Sequence, residues 1–323
     1  MPLLSVRDLH VRFPGRSTGL FHRKQTWLSA VDGLSFDIGR GEIFAVVGES
    51  GCGKTTLANT LAGLETPANG SLTFDGTPIT AHDKSLRRRI QMIFQDPYES
   101  LPPSMTVAQI VAEPLVIHKL YPDSIARAAC VKRALVDAGL NPPETVLNRR
   151  PHELSGGQRQ RVVIASALVL EPELILADEP VSMLDVSIRA GILNLFDHLR
   201  TSRNLSILLI THDLSTAAHL ADRVAVMYLG RFVELGPAQS VLQHPMHPYT
   251  QALCAAAPIP DPRRQPSRTV LQGEMPDAAH LPPGCRFHPR CPVAEARCAT
   301  GDPAWVSRSN QHTTACFLAS PTP

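Results

Sequence analysis

The chain has 323 residues, a hydrophobic fraction of 43%, a charged fraction of 19% and a formal net charge of +2. This length suits one large or two small domains with a sizeable core, and the composition is that of an ordinary globular protein. The near-neutral charge gives no electrostatic reason to expect nucleic-acid binding. No apolar run reaches the ~20 residues that span a bilayer, and no export signal is evident, so we expect a cytosolic protein.

The N-terminal residues predict two strands separated by a basic loop. Residues 3–13 alternate weakly in polarity and end at Phe13, and Ala30–Ile38 predicts the second strand. Residues 14–30 carry arginine, lysine and glycine, which is typical of a solvated loop. Contact of this loop with anionic lipid headgroups is the alternative interpretation.

The most informative stretch runs from Ile43 to Leu64. An apolar strand, 43–47, is followed by a glycine-rich turn, 48–56, and then by leucines at helical spacing. Glycines let the backbone fold into a cradle whose N–H groups point at an anion, at the positive end of the following helix. Lys54 would reach the β- and γ-phosphates, and the Thr55 hydroxyl would ligate Mg²⁺. The stretch therefore predicts a nucleoside triphosphate site.

The region after this site mixes short strands with a helical segment. Ser71–Phe74 and Ile90–Phe94 predict strands, and Gln95 closes the second of them. Residues 96–153 have prolines at the joints and helical apolar spacing between them. They predict a helical subdomain inserted into a sheet-based core.

The next part of the chain returns to alternating helices and strands. A Ser-Gly-Gly step at 155–157 precedes a predicted helix, and its backbone N–H groups could bind a second anion. The predicted elements that follow are helix Arg159–Leu170, strand Leu174–Ala177 ending at Asp178-Glu179, helix Ile188–Leu199, strand Ser206–Ile210 ending at Thr211-His212, and strand Val224–Tyr228.

Two anion-binding motifs in one chain make sense if the second faces the cradle of another copy. The chain contains both glycine-rich motifs, Gln95, the Asp178-Glu179 pair and His212 in the order found in the ATP-binding-cassette (ABC) ATPases, and in this it resembles that family. The resemblance implies an α/β fold: a P-loop NTPase, ABC nucleotide-binding domain at 1–236 with an inserted α-helical subdomain at about 96–160. Residues 237–323 would be a small cysteine-containing appendage.

The resemblance also implies residue roles. Glu179 would polarise the attacking water, and His212 would bond the γ-phosphate. Ser155 and Gly157 would reach the γ-phosphate bound by the opposite subunit, and Asp185 would lie at the dimer seam. Mg²⁺ would be held by Thr55, Gln95 and, through water, Asp178. The expected nucleotide-binding residues are Phe13, Gly48, Ser50, Gly51, Cys52, Gly53, Lys54, Thr55, Thr56, Gln95, Asp178, Ser155, Gly156, Gly157, Gln158 and Asp185, with Trp27 competing with Phe13 for the adenine.

Longer runs resemble one subfamily, the dipeptide/oligopeptide importer ATPases. These runs are Phe94–Pro97, Pro151–Arg161, His244–Thr250 and Cys285–Pro292. The sequence departs from that pattern at 101–105 and at Met183, where a different loop and an alanine are usual, and the loop change concerns contact with the membrane partner.

The subfamily implies a set of partners and a cellular position. The partners would be two transmembrane permease subunits, a second ATPase subunit that is identical or homologous, and indirectly an extracytoplasmic peptide-binding protein. The chain would lie peripherally on the cytoplasmic face of the inner membrane. The alternatives are an importer ATPase for nickel or another small solute, a DNA-repair ABC ATPase, and a regulatory module without turnover.

Four of the seven cysteines lie near the C-terminus, at Cys285, Cys291, Cys298 and Cys316. In a reducing compartment such clustering favours metal over disulfides. Members of the resembled subfamily can carry a [4Fe–4S] cluster on such a tail, and this is the interpretation we favour. Zinc is the alternative, although its sites more often show two closely spaced cysteine pairs. Unligated thiols are the third possibility.

Overall fold

A computed structural model describes residues 1–15, 27–79, 84–256, 273–308 and 311–319. Most of the basic loop predicted at 14–30 lies outside these residues. The strands are β1 (Leu4–Pro14), β2 (Trp27–Ile38), β3 (Ile43–Val47), β4 (Asn69–Phe74), β5 (Thr77–Pro78), β6 (Ile90–Ile93), β7 (Leu174–Asp178), β8 (Ser206–Thr211), β9 (Arg223–Tyr228), β10 (Arg231–Pro237), β11 (Trp305–Arg308) and β12 (His312–Ala315).

The helices are α1 (Lys54–Leu61), α2 (Lys84–Arg89), α3 (Pro97–Ser100), α4 (Val107–Ile117), α5 (Ser124–Asp137), α6 (Gly156–Leu168), α7 (Val186–Arg203), α8 (Leu214–Leu220), α9 (Ala238–Gln243), α10 (Pro248–Ala256) and α11 (Ala296–Thr300). Short 3-10 turns occur at Pro143–Thr145, Pro151–Glu153 and His288–Arg290. In the part of the chain that the structure describes, none of these helices combines the length and the apolarity that crossing a bilayer requires.

The chain divides into two compact units. The first comprises Met1–Ile38, Ile43–Ile79 and Thr211–Pro323. It holds an antiparallel sheet in the order β2-β1-β4-β5 and a second set of strands in the order β3-β9-β10-β12-β11. Strand β3 is buried along its whole length and pairs in parallel with β9, which explains its uniformly apolar sequence.

The second unit comprises Gly39–Glu42 and Thr80–Ile210. Its strands β6, β7 and β8 pair in parallel, so their carboxyl ends meet at one edge. Helices α3, α4 and α5 all contact α6, which carries eight buried residues along its thirteen. Helices α3, α4 and α5 lie within the range predicted as a helical subdomain, and they pack on the helix that follows the Ser-Gly-Gly step.

Several predicted boundaries differ from the observed ones. Helix α6 begins at Gly156 rather than Arg159, because Ser155 and Gln158 form a capping box that starts the helix three residues earlier. Helix α7 extends two residues before and four residues beyond the predicted Ile188–Leu199. The tail contains unpredicted elements, and β12 pairs with β10. This pairing lies within the first unit.

Candidate active site

The glycine-rich turn between β3 and α1 forms a loop closed around one ammonium group. Lys54 is 5% exposed, and its Nζ donates hydrogen bonds to the carbonyl oxygens of Gly48 at 2.8 Å and Glu49 at 2.9 Å. Nζ also lies 3.8 Å from the Cys52 sulfur. Burial raises the pKa of the Cys52 thiol, while the Lys54 charge opposes that rise. The loop therefore places the buried Lys54 side chain at the start of α1, within the stretch that the sequence predicted to bind phosphates.

Close backbone packing explains two of the glycines in this loop. A Cβ on Gly48 would lie 2.3 Å from the Met227 carbonyl oxygen, and a Cβ on Gly53 would lie 2.1 Å from that of Ala30. Gly53 also has φ +108°, which side chains disfavour. Gly51, at φ +81°, has no atom within 4 Å of its Cβ position, so only its backbone conformation disfavours a side chain there.

The polar side chains of the loop differ in exposure. Ser50 and Thr55 are exposed, Thr56 is half-buried and Cys52 is 1% exposed. The Thr55 hydroxyl is accessible to a metal ion, whereas Cys52 contributes mainly packing and a backbone carbonyl, which accepts a hydrogen bond from the Gly230 N–H at 2.8 Å.

The other predicted residues of this unit lie at strand ends. His212 directly follows β8 and is exposed, and the neighbouring Asp213 caps α8 through its carboxylate. Phe13 is half-buried near the end of β1, opposite Leu28 in β2. Trp27 begins β2 and is 54% exposed. Both aromatics predicted for adenine contact thus occupy the same end of the β1–β2 pair.

In the second unit, three predicted site residues lie at or just after the carboxyl ends of parallel strands. Asp178 ends β7 and is 3% exposed. The Gln95 amide, two residues after β6, donates a 3.1 Å hydrogen bond to the Glu179 carboxylate. Glu179 has φ +47°, a left-handed conformation for a non-glycine residue, and its N–H bonds the Ile210 carbonyl at 2.9 Å. Such strain in a residue with a candidate catalytic side chain is typical of functional sites.

The Ser-Gly-Gly step caps α6 in the same unit. The Ser155 hydroxyl accepts from the Gln158 N–H at 3.3 Å, and the Gln158 side chain accepts from the Ser155 N–H at 3.1 Å. The two glycines differ. A Cβ on Gly157 would lie 2.7 Å from Ile188 Cγ2, whereas a Cβ on Gly156 would have its nearest neighbour at 3.6 Å. From the sequence, both glycines were expected to leave room for an anion, but at Gly157 close packing against Ile188 in α7 also disfavours a side chain.

Asp185 lies at the first turn of α7. It is exposed, its carbonyl accepts hydrogen bonds from Ile188 and Arg189, and its side chain makes no capping bond. The carboxylate therefore faces outward, as a residue at a subunit seam would.

The sequence matches two families of known proteins. Residues 31–182 match the ABC transporter family, and residues 233–298 match the family described as the oligopeptide/dipeptide transporter C-terminal region. The oligopeptide transport ATP-binding protein AppF of Bacillus subtilis is 46% identical over 325 residues, which cover 98% of each chain. The oligopeptide transport ATP-binding protein OppF of Escherichia coli is 43% identical over 99% of this chain and 97% of its own.

The chain belongs to the ABC transporter family of ATPases. Solved structures agree with this assignment. CbiO1 of Clostridium perfringens, part of the ABC transporter complex cbiONQ, has a TM-score of 0.64 and 31% identity over 75% of this chain and 91% of its own. The cassette MJ0796, solved as a post-hydrolysis dimer with ADP and Pi, has a TM-score of 0.63 and 26% identity over 73% of this chain and 98% of its own.

The tail of this ABC ATPase contributes residues that the sequence argument missed. The Tyr249 hydroxyl accepts a 3.0 Å hydrogen bond from the Glu49 N–H in the phosphate loop. Arg290 forms two hydrogen bonds to the Glu49 carboxylate, at 2.7 and 3.1 Å. Both residues lie in runs, His244–Thr250 and Cys285–Pro292, that only a resemblance had singled out.

The four tail cysteines do not form the predicted metal centre in this structure. Among the described residues, no group of three or more His, Cys, Asp or Glu side chains is arranged to hold a metal ion. Burial raises the pKa of the Cys285 thiol, and the neighbouring thiols of Cys298, Cys316 and Cys291 raise it further. The geometry therefore gives no support to the [4Fe–4S] cluster, or to the zinc alternative.

Proposed function

We propose that this chain is the ATP-hydrolysing subunit of a transporter that imports oligopeptides or dipeptides. The supporting observation is the length over which the sequence is similar: relatives called oligopeptide transport ATP-binding proteins match almost the whole chain. Residues 233–298 also match the family of oligopeptide/dipeptide transporter C-terminal regions. The division at residue 236, between cassette and tail, is part of this proposal.

ATP fits the loop after β3. The backbone at Gly48 and Gly53 is too crowded for side chains, so the loop can present its N–H groups without obstruction. We assign Lys54 to the β- and γ-phosphates. The loop N–H groups of residues 48–56, other than that of Glu49, which bonds the Tyr249 hydroxyl, are assigned to the remaining phosphate oxygens. Mg²⁺, when bound, would neutralise phosphate charge. Thr55, Gln95 and Asp178 offer the oxygen donors that it prefers.

Hydrolysis requires a group that takes the proton of the attacking water. We assign this role to Glu179, whose carboxylate is held by the Gln95 amide and whose backbone is fixed by the Ile210 carbonyl. His212 is exposed at the end of its strand and is assigned to bonding the γ-phosphate. These roles involve mainly positioning and charge stabilisation, which is what phosphoryl transfer demands.

A second cassette completes the proposal. Ser155 is exposed at the start of α6, and its hydroxyl hydrogen can be donated while its oxygen accepts from Gln158. We assign Ser155 and the N–H groups of Gly156 and Gly157 to the γ-phosphate held by the partner copy, with Asp185 at the seam. The dimeric form of the related cassette MJ0796 supports this arrangement.

The remaining partners are two transmembrane permease subunits and, indirectly, an extracytoplasmic peptide-binding protein. The chain would bind the permease peripherally, on the cytoplasmic face of the inner membrane. We propose no nucleic-acid partner.

Reconstitution tests this function directly. The chain, with the permease and ATPase subunits that co-purify with it, is placed in proteoliposomes and supplied with the binding protein and labelled peptides. We expect ATP-dependent peptide uptake that the Glu179→Gln variant abolishes. Uptake of nickel but not of peptides would show that the transporter carries nickel instead. Hydrolysis stimulated by DNA instead of by peptide would overturn the proposal.

Metal analysis tests the tail separately. Protein purified without oxygen is assayed for iron, sulfide and zinc, because the geometry of the described residues does not by itself support the [4Fe–4S] cluster that the resemblance implies. Absorbance near 400 nm, as iron–sulfur clusters show, together with iron and sulfide would reinstate the cluster predicted from the sequence. Stoichiometric zinc without iron would reinstate the alternative.

A further inference from the structure

The phosphate loop is held by residues far away in the chain. Arg290 lies 241 residues beyond Glu49, yet its guanidinium contacts both carboxylate oxygens, from Nη1 to Oε2 at 2.7 Å and from Nη2 to Oε1 at 3.1 Å. The Arg290 side chain is 7% exposed and that of Glu49 is 27% exposed. A two-point ion pair shielded from water in this way fixes both the position and the orientation of the carboxylate.

The segment that carries Arg290 is itself firmly anchored. Phe287, three residues earlier, is 1% exposed and packs edge-on against Tyr228, with ring centroids 5.3 Å apart. Its ring also lies 5.4 Å from that of Tyr249, the residue whose hydroxyl bonds the Glu49 N–H. Arg286 donates hydrogen bonds to the Leu229 carbonyl and to Asp32. The tail therefore holds Glu49 at its backbone and at its side chain.

Electrostatics give this contact a consequence for nucleotide binding. Glu49 lies within the loop that would receive the highly negative triphosphate, and its own carbonyl accepts from Lys54 Nζ at 2.9 Å. A carboxylate at this position would repel the phosphates. The Arg290 guanidinium, which is charged at neutral pH in any environment, offsets the carboxylate, and its hydrogen bond to Glu49 raises the pKa of Arg290 further.

We infer that Arg290 is a positioning residue for ATP: by neutralising and orienting Glu49, it keeps the phosphate loop in its binding conformation. The C-terminal run Cys285–Pro292 is thereby a part of the nucleotide site and not only a peripheral tail. Any event that displaces this run would lower ATP affinity without touching a phosphate ligand.

Binding of Mg·ATP to the purified full-length chain tests this inference, measured by displacement of a fluorescent trinitrophenyl-ATP. We expect Arg290→Ala to weaken ATP binding about tenfold, because the loop loses its held conformation and gains an unpaired carboxylate. Arg290→Lys, which keeps the charge but not the two-point contact, should weaken it about threefold. The matched control is Arg297→Ala, which removes an exposed tail arginine paired with Glu295 and should stay within about twofold of wild type.

The Glu49→Gln background separates positioning from a general structural role. If Arg290 acts through Glu49, both Arg290 substitutions should change ATP affinity less than about twofold in that background. A tenfold loss that persists there, or wild-type affinity in Arg290→Ala, would overturn the inference. If Arg290→Ala does not fold, the lysine variant gives the same comparison. The assay measures nucleotide binding alone, so its outcome is independent of which cargo the transporter carries.

Discussion

The substitution Gly157→Ala tests why the second glycine of the α6 cap is a glycine. An added Cβ would lie 2.7 Å from Ile188 Cγ2, whereas carbon atoms in contact lie about 3.5–4.0 Å apart. Either the Ile188 side chain or one of the two helices must therefore move by about 1 Å. Overpacking of this kind costs about 1–3 kcal/mol, and the better helix propensity of alanine returns up to ~1 kcal/mol.

The neighbouring glycine supplies the control. Gly156→Ala makes the same chemical change one residue earlier, where the nearest atom, the Tyr98 hydroxyl oxygen, is 3.6 Å from the Cβ position. We expect the free energy of unfolding of Gly157→Ala to lie about 1–3 kcal/mol below that of Gly156→Ala in urea titrations followed by circular dichroism. Adding Ile188→Ala should reduce the loss of unfolding free energy that Gly157→Ala causes. Equal stability of the two alanine variants would refute the packing explanation. Access of an anion to the backbone would then be the remaining reason for a glycine at position 157.

Four further outcomes follow from the site and its surroundings. Glu179→Gln should retain ATP binding and lower the hydrolysis rate by about 10²–10⁴, and a near-wild-type rate would show that Glu179 is not the base. Ser155→Arg should abolish turnover while its own chain still binds ATP, and equal loss of binding would argue against a site shared between copies. Trp27→Ala should weaken ATP binding more than Phe13→Ala does, because the Trp27 ring is 54% exposed and available for stacking; the reverse order would assign the adenine to Phe13. Burial lowers the pKa of His247 to about 4, so its contribution to stability is complete above the unfolded value of about 6.5 and is lost as the pH falls towards 4. His247→Asn should flatten the pH dependence of the unfolding free energy in that window by up to about 3 kcal/mol, and an unchanged slope would exclude His247 as its source.

The local motifs were predictable because each is defined by neighbouring residues. Five consecutive apolar residues predicted β3 with its observed limits, and the glycine spacing predicted the loop around Lys54. The Ser-Gly-Gly step at 155–157 was also recognised from sequence as preceding a helix, but the helix start was placed three residues late. The capping box with Gln158 depends on side-chain hydrogen bonds that apolar periodicity does not register.

The tail was the part that sequence reasoning described least well. Its prolines and weak periodicity gave no elements, although α9, α10 and β12 form there. The cysteine spacing predicted a metal centre that the described geometry does not support. Spacing along the chain constrains which thiols can meet, but only the folded backbone decides whether their sulfur atoms converge.

By itself, the sequence determined that this protein binds a nucleoside triphosphate and resembles ABC ATPases, because strand, glycine turn, lysine and carboxylate pair are local patterns with a direct chemical meaning. Only the tertiary structure decided that Gly157 is required by Ile188 and that Arg290 holds Glu49. Those pairs are separated by 31 and 241 residues, respectively. Contacts at such separations are set by how the elements pack, and no single stretch of sequence encodes them.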